Sequence, residues 1–370
     1  MARRQEQEDA REEVTELAPN VLRMELPINM PGLGHVNCYA LVDDDGVALV
    51  DPGLPTRDNY EALKQRLKQA GFEPRHVHHV FITHSHPDHF GGAARLAREA
   101  GAKIVAHGAF HIGPVEAHRP EVSVEDLDAQ EAEELDELED GEAAAERRRR
   151  DAMAGKPRAT TGETPWGGAR PRPPFRARLR WLAMRYIFRR SVLPHIDKRV
   201  HAGDVLRFAK REWFVVHTPG HTEDHICLHS PEEGIFVAGD HVLPSITPHI
   251  SGISHSPDPL ADFYDSLDQV AATQHVDRVI PAHGHPFDDL KERCEAIKEH
   301  HDERLEKVLE IARKTFGRPA RVPEFSEHLF KKRSWGPMAD SETYAHVEHL
   351  RIAGKMSCHL DDKGHLVYEA

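Results

Sequence analysis

The segment Thr83-His84-Ser85-His86-Pro87-Asp88-His89 restricts this chain more than any other stretch. It follows the apolar run Val80-Phe81-Ile82 directly and places three imidazoles and one carboxylate within six residues. Neutral imidazole and carboxylate are the N and O donors that Zn²⁺ and similar ions take. A strand that ends in a loop with alternating histidines can aim two ring nitrogens at one point. Asp88 and His89 can then serve a second point beside it. A chain with 29 histidines will cluster some of them without function, so the segment gains weight only if the rest of a metal site is present.

The remaining pieces are single residues, each placed just after a short apolar run in a turn marked by Gly or Pro. His221 follows Trp213-Phe214-Val215-Val216 in the turn Thr218-Pro219-Gly220-His221-Thr222. Asp240 follows Ile235-Phe236-Val237-Ala238-Gly239. His283 follows Val279-Ile280-Pro281-Ala282 and precedes Gly284. Upstream, Asp51 follows Val47-Ala48-Leu49-Val50 and precedes Pro52-Gly53. Polar residues carried on strand ends into one rim are how α/β scaffolds assemble a site from distant sequence.

In order and residue type these pieces resemble the motifs of the metallo-β-lactamase superfamily of hydrolases. Asp51 stands on that family's first motif, in a Val-Asp-Pro-Gly context. His84, His86, Asp88 and His89 stand on the His-x-His-x-Asp-His motif. His221 stands on the third motif, Asp240 on the fourth and His283 on the fifth. The resemblance runs over roughly residues 20–290. It is closest in character to glyoxalase-II-like enzymes and to a thioesterase branch with a small C-terminal winged-helix-like domain.

The resemblance implies a four-layer α/β/β/α sandwich with that small helical domain appended. It also implies a site for two divalent ions, with Zn²⁺ expected and Fe²⁺ or Mn²⁺ as alternatives. His84, His86 and His221 would hold one ion, Asp88, His89 and His283 the other, and Asp240 would bridge both. Asp88 and Asp240 supply the negative charge that two adjacent dications need. Asp51 is expected behind the ligands, hydrogen-bonded to one of them. A hydroxide activated between two metals would attack a carbonyl; Asp88 could accept a proton after that attack. His241 and the arginines Arg180 and Arg185 are candidate substrate contacts. His78, His79, His217, His225, His229, His255 and His285 lie near the motifs and are read as surface, supporting or core residues.

The formal net charge is −14, which repels nucleic acid unless a local basic patch intervenes. Cys38, Cys227, Cys294 and Cys358 are scattered without a Cys-x-x-Cys pair, which argues against a thiolate metal site and fits a reducing compartment. Met1–Glu16 is charged throughout and lacks an apolar segment, so it does not read as a secretory signal. No stretch approaches the ~20 apolar residues that span a bilayer. The expected address is the cytoplasm.

Along the chain, residues 1–15 read as a flexible tail, 16–288 as the metallo-hydrolase domain and 289–370 as the winged-helix-like domain. Helices are expected over Asp58–Ala70, Gly91–Glu99, Pro259–Thr273, Asp289–Lys314 and Ser341–Ala353, and a hairpin over Lys355–Tyr368. A charged insertion spans 121–200. Its Glu121–Glu146 stretch carries many acids and no Lys or Arg, Arg147–Arg150 reverses the sign, and Ala154–Pro174 is rich in Gly, Pro and Thr. That composition predicts partial disorder. Residues 175–193 mix arginines with Trp181, Leu182, Tyr186 and Phe188 and read as a lid helix whose arginines meet an anionic substrate tail. The C-terminal domain is read as a buttress or a homodimer contact.

The expected reaction is hydrolysis of a small-molecule thioester, ester or lactone. A thiolate leaves without being protonated, whereas an amide nitrogen needs a proton donor, and no residue in the motifs stands out as one. A Gly-x-Ser-x-Gly nucleophile elbow is also missing. The alternatives on the same ligand set are a metal-dependent ribonuclease or phosphodiesterase and an iron-dependent sulfur or oxygen redox enzyme.

Overall fold

The computed structural model describes residues 4–30, 32–113, 115, 117–120, 163–169 and 193–370. Among them the chain forms two compact units. The first comprises Met1–Ile112, Pro173–His249 and Asp262–His300; the second comprises Gly113–Arg172, Ile250–Ala261 and His301–Ala370.

The first unit contains two sheets. Strands β1 (Thr15–Ala18), β2 (Val21–Met30), β3 (Leu33–Asp43), β4 (Gly46–Val50), β5 (Val77–Phe81), β6 (Lys103–His107) and β7 (Lys198–Val200) lie in sequence order in the first sheet. β8 (Val205–Phe208), β9 (Arg211–His217), β10 (Ile226–Ser230), β11 (Ile235–Gly239) and β12 (Arg278–Pro281) form the second, in the order β12-β11-β10-β9-β8. The first four strands are a meander, whereas β4, β5, β6 and β7 run parallel. β11 and β12 are also parallel.

The period of two along each strand decides where the core sits. On β4, Val47 and Leu49 enter one apolar cluster and Ala48 and Val50 another. Val36, Cys38 and Ala40 of β3 join the first cluster, and Tyr39 and Leu41 join the second. The first cluster also takes Leu63 and Leu67 of α1 (Arg57–Gln69) and Leu96 of the helix Ala93–Ala100, so it lies between helices and sheet. The second cluster takes Trp213, Val215, Ile226, Leu228, Val237 and Ile280, so it lies between the two sheets. Strands apolar on both faces are what a sheet covered on both sides requires. Trp213 is fully buried there, and its indole N–H reaches the Phe208 carbonyl at 3.0 Å, which meets the usual requirement for a buried Trp.

Beyond the second sheet, Phe263, Leu267 and Val270 are the buried stripe of the helix Pro259–Ala271. Phe263 leaves no room at Gly220, whose φ is +128° and where an added Cβ would lie 2.4 Å from the Phe263 Cβ. The turn before His221 is therefore glycine by necessity. Helices, sheet, sheet and helices make the four layers expected.

Several expectations change. Residues 4–15 do not behave as a flexible tail. Gln5–Gln7 forms a helical turn and Glu6 is fully buried. Its carboxylate accepts from Ser245 N (2.7 Å), Ser245 Oγ and Ile246 N (3.1 Å). A charged sequence looks unstructured, but here its charge meets buried donors. The insertion 121–200 lies largely outside the described residues, as do all of Arg180, Arg185 and the lid-helix residues 175–192. Two parts of it are described. Residues 163–169 form a short turn with Trp166 buried, and Lys198–Val200 completes the first sheet as its edge strand. The boundary between units falls within the helix Leu290–Glu310 rather than at residue 289.

The second unit carries the helices Val322–Leu329 and Pro337–Ile352 and a small sheet, β13 (Ala320–Arg321), β14 (Ser357–Leu360) and β15 (Leu366–Glu369), in the order β13-β15-β14. The second of these helices starts at Pro337 instead of Ser341, because Pro is suited to the first helical position. It is buried on nearly every side: Ala339, Thr343, Tyr344, Ala345, His346, Val347, Glu348 and Leu350 are all inaccessible. Glu348 accepts from Tyr368 (2.6 Å) and Arg351 (2.9 Å). Among the described residues no helix is long and apolar enough to cross a membrane.

Glu6→Ala would leave buried donors without an acceptor and should lower stability by about 2–3 kcal/mol, measured as a shift in urea midpoint at unchanged slope. A shift indistinguishable from zero would mean that the N-terminal segment is not held as described.

Candidate metal centre

The parallel pairs β4/β5 and β11/β12 bring their C-terminal ends to one rim. Asp51 follows β4, Thr83–His89 follows β5, Asp240 follows β11 and His283 follows β12, while His221 lies in the turn between β9 and β10. Two groups of candidate ligand atoms result: His84, His86, His221 and Asp240, and Asp88, His89 and His283. All seven residues singled out by their sequence pattern are therefore brought together.

In the first group, His84 Nε2 lies 2.9 Å from His86 Nδ1, and His221 Nε2 lies 3.1 Å from the same atom. Asp240 Oδ2 is 3.8 Å from His84 Nε2 and 3.6 Å from His221 Nε2. In the second group, Asp88 Oδ2 is 3.6 Å from His89 Nε2 and 3.5 Å from His283 Nε2. Asp240 reaches this group too, through Oδ2 to His89 Nε2 (3.5 Å) and Oδ1 to His283 Nε2 (3.3 Å).

The far sides of the rings decide which nitrogen faces inward. Thr83 Oγ1 donates to Asp51 Oδ2 at 2.7 Å, so it accepts from His84 Nδ1 at 3.0 Å. His221 Nδ1 donates to the His249 carbonyl at 2.7 Å, and His283 Nδ1 to the His35 carbonyl at 2.6 Å. His89 Nδ1 donates to Asp51 Oδ2 at 2.8 Å. With Nδ1 of His84, His221, His283 and His89 committed as donor, each of these rings in its neutral form keeps its lone pair on Nε2. Ring lone pairs facing one another at about 3 Å repel unless a proton or a cation lies between them. His89 Nε2, His283 Nε2 and Asp240 Oδ1 are buried without a hydrogen-bond partner. Buried orphans of this kind are costly, and a cation satisfies all of them together. The donor set, imidazole and carboxylate without thiolate, fits Zn²⁺, Fe²⁺ or Mn²⁺.

The electrostatics divide the two groups. Burial holds His84, His86 and His221 below the ordinary imidazole value, which keeps them neutral and able to ligate. Burial also opposes charge on His89 and His283. There the carboxylates of Asp88 and Asp240 outweigh it, helped at His89 by Asp51, and both rings are held above their usual value. Burial would raise Asp240, but His283 and His89 keep it well below the carboxylate range.

Asp51 sits at the hub of the support. Its Oδ1 accepts from Thr83 N at 2.9 Å, and its own N–H donates to Phe81 O at 3.0 Å. It has φ +52°, a left-handed conformation that Asp tolerates better than most residues. His225 holds Asp240 from behind: Nε2 accepts from Asp240 N at 3.0 Å, and Nδ1 donates to Thr218 Oγ1 at 2.7 Å. His241 is corrected. It is fully buried with its ring 5.0 Å from Phe263 and 5.8 Å from His225, so it is not open to a substrate. Sequence reading missed His35, Asn37, Thr218 and the His249 carbonyl. The available signal was the alternation of polar His35 and Asn37 within the otherwise apolar β3.

The profile of the Metallo-beta-lactamase superfamily matches residues 31–283. A hydroxyacylglutathione hydrolase of Anaeromyxobacter dehalogenans is 37% identical over 86 residues, 23% of this chain and 29% of that protein. A lactamase-like protein of Emericella nidulans is 32% identical over 115 residues, 31% of this chain and 35% of that protein. The likeness thus spans about a third of the length of these relatives. Among solved structures, a metallo-beta-lactamase family protein of Thermus thermophilus superposes with a TM-score of 0.68 at 27% identity, covering 96% of this chain and 99% of that one. A beta-lactamase domain protein of Burkholderia ambifaria gives 0.68 at 23% identity, covering 98% and 96%, and so shares the fold.

Asp51→Ala would strip the acceptor from Thr83 N, Thr83 Oγ1 and His89 Nδ1 and should cost the metal-free protein about 3 kcal/mol. Urea unfolding in the presence of a chelator measures it, and a loss under about 1 kcal/mol would remove Asp51 from this supporting role.

Proposed function

Since the chain belongs to the metallo-beta-lactamase superfamily, we propose that it is a two-metal hydrolase of small-molecule thioesters, with esters and lactones as related substrates. The observation that carries this reading is Asp240, whose carboxylate faces both groups of ligand atoms at once. His84, His86 and His221 would hold one ion and Asp88, His89 and His283 the other, with Asp240 shared. Bound there, Zn²⁺ lowers the pKa of water and polarises a carbonyl oxygen.

The chain's own residues set the conditions for that chemistry. Thr83, His249, His35 and Asp51 fix the ring orientations, and His225 fixes Asp240. Asp88 Oδ2 stands beside His89 and His283, and in this reading it would take up a proton as the acyl group is cleaved. All seven converging side chains serve as ligands in this reading. A thiolate leaves without an eighth as acid, whereas an amine would need one. The likeness to proteins named hydroxyacylglutathione hydrolase, whose substrate is an acylated thiol, supports the same choice.

The zinc-loaded chain should turn over acyl-thioesters in a panel that also contains lactones and nitrocefin, and chelation should abolish this reversibly. Turnover of nitrocefin alone would reject the proposal, as would iron in protein purified from its own host with activity that requires oxygen. His86→Ala should weaken the ion of the three-histidine group, and Asp240→Ala should weaken both. Each should lower kcat/KM on the order of 10²–10³-fold, read together with metal content. Full activity in metal-free His86→Ala protein would end the metal reading.

A further inference from the structure

His283 is the one member of the second group that does not come from the loop after β5, so its position must be set by something other than that loop. The structure shows what does it. Successive residues on one face of β3, at the i, i+2 and i+4 positions, all turn to the segment 281–284. The Asn37 side-chain amide donates to the Pro281 carbonyl at 2.8 Å and the Gly284 carbonyl at 2.9 Å. The Asn37 main-chain N–H donates to Ala282 O at 2.7 Å. Tyr39 Oη donates to Pro281 O at 2.6 Å. The His35 carbonyl accepts from His283 Nδ1, and His35 Nε2 accepts from Gly284 N at 3.1 Å. Asn37 and His35 are fully buried, and Tyr39 nearly so.

From this we infer that Asn37 is a positioning residue for the second ion, acting through His283. Its single NH₂ group ties the carbonyls on both sides of His283, so the ring is held between two fixed points. A metal site tolerates ligand displacements of only a few tenths of an ångström. Loss of the clamp therefore weakens the ion that His283 serves. The three-histidine group is held by other partners: Thr83 behind His84 and the His249 carbonyl behind His221. The clamp does not touch those partners, so the effect is confined to one of the two ions. The inference rests on the two-metal reading above and deepens it by making the ions separately adjustable.

The test is Zn²⁺ stoichiometry and competition titration against a chelator, on the full chain and on Asn37→Leu, which keeps the side-chain shape and removes the two donated bonds. The parent chain should bind two ions. Asn37→Leu should keep one at unchanged affinity and lose about 10–100-fold on the other. Two ions bound as in the parent chain, or both weakened equally, would overturn the inference; equal weakening is what general destabilisation produces. A parent chain that binds no zinc would instead overturn the two-metal reading itself. If Asn37→Leu does not fold, Tyr39→Phe removes only the bond to Pro281 O. It should weaken the same single ion to a smaller degree, and unchanged affinities at both sites would overturn the inference.

Discussion

The structure of the site depends on one buried carboxylate, Asp240, which faces inward ring nitrogens of both candidate groups at once. Desolvation alone would neutralise an acid in that place. His283 and His89 hold it well below the carboxylate range instead, and Asp240 and Asp88 in turn hold those two rings above their usual value. Without a cation this is a compact set of opposed charges and facing lone pairs. With one, the same atoms would serve as its ligands. The architecture of the first unit serves to hold this unfavourable collection in place.

Support comes from outside the ligand set. Strand ends deliver the candidate ligands, but hydrogen bonds with Thr83, Asp51, His35, His249 and His225 decide how each ring or carboxylate is turned. Much of this support is main chain. A carbonyl that accepts an Nδ1–H fixes both the rotamer and the tautomer of a histidine, yet it leaves no mark in the residue sequence. The N-terminal segment joins the same system. Gln5 Oε1 accepts from His285 N, and the Glu8 carbonyl accepts from His35 Nδ1, so residues that read as a tail help hold the loop bearing His283. Burial holds His35 below its ordinary value, against the opposite pull of that bond.

Much of the fold was legible because its signals are local. Short apolar runs ending in Gly or Pro turns marked β4, β11 and β12, the run into the His cluster marked β5, and a three-to-four spacing marked α1 and the helix Pro259–Ala271. The His84–His89 loop announced its chemistry by composition alone. Less legible was anything that depended on partners far along the chain. Glu6 finds its donors 239 residues away at Ser245, and no period or composition encodes that pairing. His241 adjoins a candidate ligand in sequence, but the strand end turns it inward toward Phe263. Polar residues of the helix Pro337–Ile352 find partners elsewhere in the chain: Glu348 meets Tyr368, Glu342 meets Arg304 and His349 meets Asp258.

The sequence by itself determined which residues could carry metal chemistry and on which strand ends they would stand, since both follow from residue type and a spacing of a few residues. The tertiary structure alone decided which nitrogen of each ring faces the centre and which neighbours hold the rings there. Those outcomes rest on hydrogen bonds between segments as far apart as His35 and His283, 248 residues along the chain. Only the packed sheets bring such segments together.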